Sequence, residues 1–243
     1  MQQKILIVTD FYKPHISGIV TYINQFIGIL ENNYKITVLT TKYSSELDSL
    51  ESSGNIEIIR CKPLFKISRG YFSLSLILKF IKIYKNYKYI NIHLPLVEIL
   101  PLILFIRKKN TIIHYHCLPE FPLPLKIFKF YFFFFGFIAS LFSKYIVVLS
   151  KDYFINIKFN KYLPNKIIEI PPYVEDKNIV LSDNSLDKTR IGFLGRICEE
   201  KGLNYLISLS NILRDKNINH ELIIAGDIAD KRFIKYIHKL KKL

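Results

Sequence analysis

Cysteine is scarce: Cys61, Cys117 and Cys198 lie far apart, with no C-x-x-C among them. A disulfide framework or a structural zinc site needs closer or more numerous thiols, and a reducing, cytoplasmic environment fits best. Acidic residues are also in deficit, 20 against 35 lysines and arginines, a formal net charge of +15. Such an excess calls for an anionic partner, whether nucleic acid, lipid headgroup or phosphorylated substrate. No recognised nucleic-acid motif accompanies the charge, so nucleic acid is set aside. The dinucleotide fingerprint G-x-G-x-x-G is missing from the first strand–helix turn, which argues against a nicotinamide dehydrogenase. No secretory leader is expected, because Lys4-Ile-Leu-Ile-Val8 is a short apolar run that leads straight to Asp10. The most apolar stretch, 130–142, carries no charge. It falls short of the roughly 20 residues of a bilayer span, and Lys126, Lys129 and Lys144 bound it. Internal repeats and low-complexity tracts are absent.

What is present is half hydrophobic, enough for a sizeable core. Short β-branched runs alternate with helix-period stretches, the pattern of a parallel α/β sheet. Strands are predicted at 5–8, 36–39, 56–59, 89–93, 111–116, 145–149, 167–170, 191–194 and 222–225. Helices are predicted from Ile19, over 74–84, from Pro95 to Phe105, over 127–142, from Leu203 and, strongly basic, from Asp230. The Pro-, Ser- and Asn-rich stretch 171–188 reads as a connection. The resulting division is 1–175, a linker at 176–188, and 189–243.

The organising segment is Arg190-Ile-Gly-Phe-Leu-Gly-Arg-Ile-Cys-Glu-Glu-Lys-Gly-Leu203. A strand ends in Gly195-Arg196, and an apolar-periodic helix opens after Lys201-Gly202. A helix N-terminus with two adjacent cations suits an anion such as a diphosphate; a pair of solvated loop cations is the alternative on spacing alone.

Gly195-Arg196…Glu200-Lys201-Gly202 resembles the G-R-x-x-x-x-K-G signature of the family-4 retaining glycosyltransferases, which have the two-domain GT-B fold. The resemblance implies a complete Rossmann-like N-terminal acceptor domain and the first βαβα portion of a donor domain. It implies that Arg196 and Lys201 hold the diphosphate of a nucleotide-diphospho-sugar, with neither a metal nor an organic cofactor. Ser17-Gly18 stands where the family has a Gly-Gly pair, which makes Gly18 a donor-side residue and Ser17 a cleft residue; Ser17 also suits an N-cap. Ile90-Asn-Ile-His-Leu-Pro95 and Ile113-His-Tyr-His-Cys117 resemble the paired histidine motifs of the family. His116 then faces the reacting sugar and is the catalytic candidate, His93 shapes the same cleft, and His114 is assigned to packing. Ser150 matches the serine that ends a family strand, and it also suits a helix cap. Pro172 and Tyr173 depart from the family's I-P-N-G turn. The family's E-x-x-x-x-x-x-x-E donor segment has no counterpart up to Leu243, and Glu199 and Glu200 do not replace it. The expectation is a truncated enzyme, inactive alone or completed by a second chain; a non-catalytic acceptor- or membrane-binding fragment is the alternative. The implied reaction is retaining sugar transfer to a lipid-linked or saccharide hydroxyl in cell-surface polysaccharide or glycolipid synthesis. Peripheral contact with anionic lipid on the inner face of the plasma membrane is one reading of 130–142 and the lysines of 79–88; a helix buried between sheet and solvent is the other.

Overall fold

The structure is a computed structural model, and it describes residues 2–67, 70–119, 126–156, 162–173 and 189–226. The chain divides into two compact units, Met1–Glu175 and Asp176–Leu243. The connection at 176–188 and the basic helix expected from Asp230 lie outside the described residues.

The first unit begins with β1 (Gln3–Val8), α1 (Gly18–Leu30) and β2 (Tyr34–Thr41). Next come β3 (Leu50–Ser53), β4 (Ile56–Cys61) and a small hairpin of β5 (Phe65–Ile67) and β6 (Gly70–Phe72). Helix α2 (Leu74–Ile83) leads to β7 (Tyr89–Leu94), α3 (Ile99–Ile103) and β8 (Thr111–Tyr115). Helix α4 (Lys126–Phe142), β9 (Tyr145–Val148), α5 (Lys151–Asn156) and β10 (Ile167–Glu169) complete it. Among the described residues these strands form an eight-stranded sheet in the order β10-β9-β8-β7-β1-β2-β4-β3. Every neighbouring pair is parallel except β3 with β4.

Side-chain alternation explains the two cores. Leu6, Val8, Ile90, Ile92, Leu94, Ile113, Tyr115, Ile146 and Val148 point to one face, where α2, α3, α4 and α5 cover them through Leu76, Phe80, Ile99, Leu102, Ala139 and Phe154. Ile5, Ile7, Ile36 and Val38 point to the other, against Val20, Ile23 and Ile27 of α1. Helix α2 is fixed by Ser73, whose Oγ accepts from the Leu76 N–H and donates to the Lys62 carbonyl. Ser17 caps α1 in the same way, accepting from the Val20 N–H at 3.2 Å.

Two differences from the sequence reading stand out, while the helix cap expected of Ser150 is present. Strand β3 and the β5–β6 hairpin were not expected, since three- and four-residue strands carry too little alternation to register. The helix expected up to Phe105 is only the five residues of α3. It contains Pro101, which cannot donate to the helical ladder. Ser150 caps α5, its Oγ accepting from the Tyr153 N–H at 3.4 Å.

In the second unit β11 (Thr189–Leu194) runs parallel to β12 (His220–Ala225), joined through α6 (Leu203–Asp215).

Candidate functional site

In an open parallel sheet, ligands collect beyond the carboxyl ends of the strands. Three histidines stand there on the α1 side of β7 and β8. His93 is the register partner of His114, and the His116 N–H bonds the Leu94 carbonyl at 3.2 Å. The register therefore stacks the rings: His93 lies 4.3 Å from His114 and 5.2 Å from His116 between centroids. Helix α1 closes the cluster with Tyr22, edge-on to His116 at 5.0 Å, and Phe26, 5.1 Å from His114.

All three are neutral. Burial holds His114 down at about 3, with His116 adding to the shift, and burial alone holds His116 at about 4. His93 falls well below its ordinary value from burial and from its two neighbours. His114 Nε2 faces Asn91 Oδ1 at 3.0 Å. That oxygen only accepts, so His114 carries its proton on Nε2 and presents a bare Nδ1. His93 Nδ1 and His116 Nε2 are 2.9 Å apart, so one ring donates to the other. Two neutral rings share two protons, and one of those occupies the bond. The outer nitrogens, His93 Nε2 and His116 Nδ1, have no partner, and one must be a donor and the other an acceptor. The roles exchange only when a proton arrives at the bare outer nitrogen, the bridging proton crosses to the other ring, and the proton on that ring's outer nitrogen departs. The pair thus has the connectivity of a short proton relay, and His116 is its more exposed member.

Two carboxyl groups that the sequence reading did not single out share this end of the sheet. Asp10, after β1, is buried and sits against the β5–β6 hairpin. A Cβ added at Gly70 would lie 2.6 Å from Asp10 Oδ2, so only glycine fits there. Burial, then the nearby Glu98, raises the Asp10 carboxyl well above its usual range. Glu98, after β7, is fully buried; its Oε1 accepts from the Ser73 N–H at 2.6 Å and its Oε2 has no partner. Burial pushes Glu98 up to about 7. Glu98 and Glu120 are the only acids between residues 58 and 151, a rarity that could have marked Glu98. Next to Asp10, Phe11 stacks on His15 at 4.4 Å, and Tyr43 and Tyr71 flank Phe11 at 5.7 and 5.9 Å.

Gly18 opens α1 with free space where a Cβ would lie. The structure thus brings His93 and His116 together, adds His114, and places Ser17 and Gly18 at the start of the helix that covers them.

The second unit holds the remaining candidates. Residues Glu199–Lys201 form a single 3-10 turn ending at Gly202, whose φ of 66° is left-handed and suited to glycine. Helix α6 begins there without a side-chain cap, leaving its positive end open to an anion. Arg196 and Lys201 are both exposed on this loop. Gly226, also outside the sequence reading, follows β12 so closely against β11 that a Cβ on it would lie 1.8 Å from the Gly195 carbonyl oxygen. Among the described residues no group of His, Cys, Asp and Glu is arranged to hold a metal ion.

No protein-family model and no curated protein matches the chain. Solved structures do. Sucrose-phosphate synthase of Thermosynechococcus elongatus superposes with a TM-score of 0.67 at 14% identity, covering 98% of this chain and 68% of that one. The fold is GT-B. The GT-B likeness extends to the catalytic domain of starch synthase IV from Arabidopsis thaliana, solved with ADP and acarbose. The TM-score there is 0.61 at 10% identity, over 99% of this chain and 71% of that one. A mutant of TarM from S. aureus, in complex with fondaparinux, α-GlcNAc-glycerol and UDP, gives 0.61 at 10% identity, over 99% and 75%. At these identities the likeness establishes the architecture.

Proposed function

We propose that the protein is a glycosyltransferase that moves a sugar from a nucleotide-diphospho-sugar to a hydroxyl, with retention and without a metal. The observation that carries the reading is the pairing of two features on one GT-B chain. One is the Gly195–Gly202 loop, with its two cations at an uncapped helix start; the other is a neutral histidine relay at the carboxyl edge of the first sheet. Residues 1–175 are the acceptor domain and 189–243 belong to the donor domain. Arg196 and Lys201 take the diphosphate, whose charge grows as the glycosidic bond breaks. Fixed cations aimed at that charge stabilise the transition state without reorganising. Gly18 lets the backbone approach the donor, and Ser17 orders the first turn of α1.

His116 accepts or donates a hydrogen bond at the reacting sugar, with its tautomer set by His93; neutrality keeps it from repelling the cationic character that develops on the sugar. The Phe11, His15, Tyr43 and Tyr71 rings offer an apolar lip suited to a saccharide or lipid-linked acceptor in surface polysaccharide or glycolipid synthesis. Saturation-transfer difference NMR of the chain with UDP-, GDP- and ADP-sugars tests the reading. Transfer to the ribose and sugar protons of at least one donor is expected; none from any donor refutes it.

Peripheral membrane contact belongs to the same proposal. No helix among the described residues is long and apolar enough to cross a membrane. Helix α4 buries Phe132, Gly136 and Ala139 but exposes Ile127, Phe130 and Phe134, and Lys126 and Lys129 share its first turns. An apolar face flanked by lysines suits an anionic lipid surface. Sedimentation with phosphatidylglycerol vesicles should weaken as salt is added and should largely disappear in a Phe130→Ser/Phe134→Ser variant. Unchanged sedimentation of that variant removes α4 from the interface.

A further inference from the structure

The edge of the first sheet opposite the histidine cluster is basic in a way the proposed reaction does not use. Lys88 and Tyr89 open β7, Arg107, Lys109 and Asn110 precede β8, and Lys144 precedes β9. These six residues line one cavity of about 590 Å³. Four of them are cations and none is acidic. Between residues 58 and 151 the chain carries 15 lysines and arginines against two acids, so the imbalance around this cavity is not offset by its own stretch of chain.

Three of the four cations are held against aromatic rings. Lys88 Nζ lies 5.3 Å over the Tyr89 ring, and Lys144 Nζ 5.2 Å over the Tyr145 ring. The Arg107 guanidinium sits 5.5 Å over Tyr84 and donates to its hydroxyl at 3.4 Å. The turn that carries Arg107, Lys109 and Asn110 is tied by the Arg107 N–H to Thr111 Oγ1, and by the Asn110 and Thr111 N–H groups to the Arg107 carbonyl. Asn110 also lines the cavity; its side-chain NH2, not its buried Oδ1, is the end that can donate to an anion. Cations near helix carboxyl ends often serve only to offset the helix dipole. Lys88, Lys109 and Lys144 lie beyond the last turns, in the segments that lead into the strands, and converge on one space.

We propose that this cavity, at the amino-terminal edge of β7, β8 and β9, is a second anion site, separate from the Gly195–Gly202 loop, that takes a phosphate group with two or more negative charges. Soluble phosphoesters and lipid headgroups both present such a phosphate, and the two sources are separable by experiment.

The experiment uses the full chain with Arg196→Ala and Lys201→Ala, so that the proposed donor loop contributes nothing to the signal. Inorganic pyrophosphate is titrated calorimetrically at low salt into this protein and two derivatives. One removes the cavity cations (Lys88→Gln/Lys109→Gln/Lys144→Gln); the other removes three cations elsewhere (Lys42→Gln/Lys62→Gln/Lys151→Gln). Loss of charge-assisted contacts to phosphate should weaken binding by at least about 10-fold in the first, and by no more than about 3-fold in the second, which changes only net charge. If the triple cavity variant does not fold, Lys109→Gln alone should still weaken binding by several-fold. Equal losses in both derivatives, or no binding by their parent, overturn the proposal.

Sedimentation with phosphatidylcholine vesicles, with and without phosphatidic acid, identifies the source. A loss of phosphatidic-acid-dependent binding confined to the cavity variant identifies a lipid headgroup. Unchanged vesicle binding alongside weakened pyrophosphate binding identifies a soluble phosphate.

Discussion

Replacing His116 with asparagine should flatten the acid side of the stability curve by about 1.4 kcal/mol per pH unit, the value of one differentially bound proton. The sign follows from burial. An unfolded histidine titrates near its ordinary 6.5, whereas folded His116 stays neutral down to about 4. Between those values the unfolded chain binds a proton that the folded one refuses, so acid favours unfolding and stability is regained as pH rises to 6.5. His114, at about 3, and His93, well below its ordinary value, act in the same direction. At pH 5 His114 and His116 together cost roughly 4 kcal/mol relative to pH 7, a large share of the stability of many domains, and His93 adds to the loss.

Asp10 and Glu98 oppose them. Their folded carboxyls hold protons that the unfolded chain releases above about pH 4, and for Glu98 this extends to about 7. They therefore destabilise the fold as pH rises through the same interval, so the parent profile alone does not separate the two sets. The variants separate the two sets: His116→Asn should flatten the acid limb, and Glu98→Gln, which keeps an oxygen for the Ser73 N–H, should steepen it. Urea unfolding at pH 7, 6 and 5 measures both slopes. A parent-like slope in His116→Asn shows that His116 is not held neutral by the fold.

Removing Lys201 should lower affinity for a nucleoside diphosphate roughly 10- to 100-fold, since a charge-assisted hydrogen bond to phosphate is worth about 1.5–3 kcal/mol. Arg196→Ala should cost a similar amount. Neither change should disturb the fold, because both side chains are exposed on a loop and surface cations contribute little to stability. His116→Ala should leave diphosphate binding largely intact, since His116 lies in the first unit and is proposed to meet the sugar rather than the phosphates. Thermal midpoints within a degree or two of the parent, together with this division of effects, distinguish a binding loop from a structural one.

The sheet was legible because its strands are continuous apolar, largely β-branched runs buried on both faces, as at residues 5–8 and 146–148. Parallel pairing followed from the helical stretches between them. Strand β3, whose Leu-Glu-Ser-Ser is mostly exposed, exists only because β4 offers it an edge, and no local pattern encodes that. That His114 and His116 share a face follows from their spacing of two. That His93 stacks on His114 depends on the β7–β8 register, which is tertiary information. Asp10 was visible as an acid after a strand and Glu98 as a rare acid in a basic stretch. Their mutual proximity, and the fit of Gly70 against Asp10, required the fold. The glycine-bounded loop at 195–202 was legible from its residues. The contact between Gly226 and Gly195 was not, since it arises from two strand ends distant in sequence.

Calorimetric titration of UDP, GDP and ADP into the full chain, and into its Lys201→Ala variant, tests most directly whether this loop is a donor site. The expected result is saturable binding of at least one nucleoside diphosphate, weakened at least about 10-fold in the variant with an unchanged thermal midpoint. Equal affinity in the two proteins, or no binding of any of the three by the parent, would contradict it.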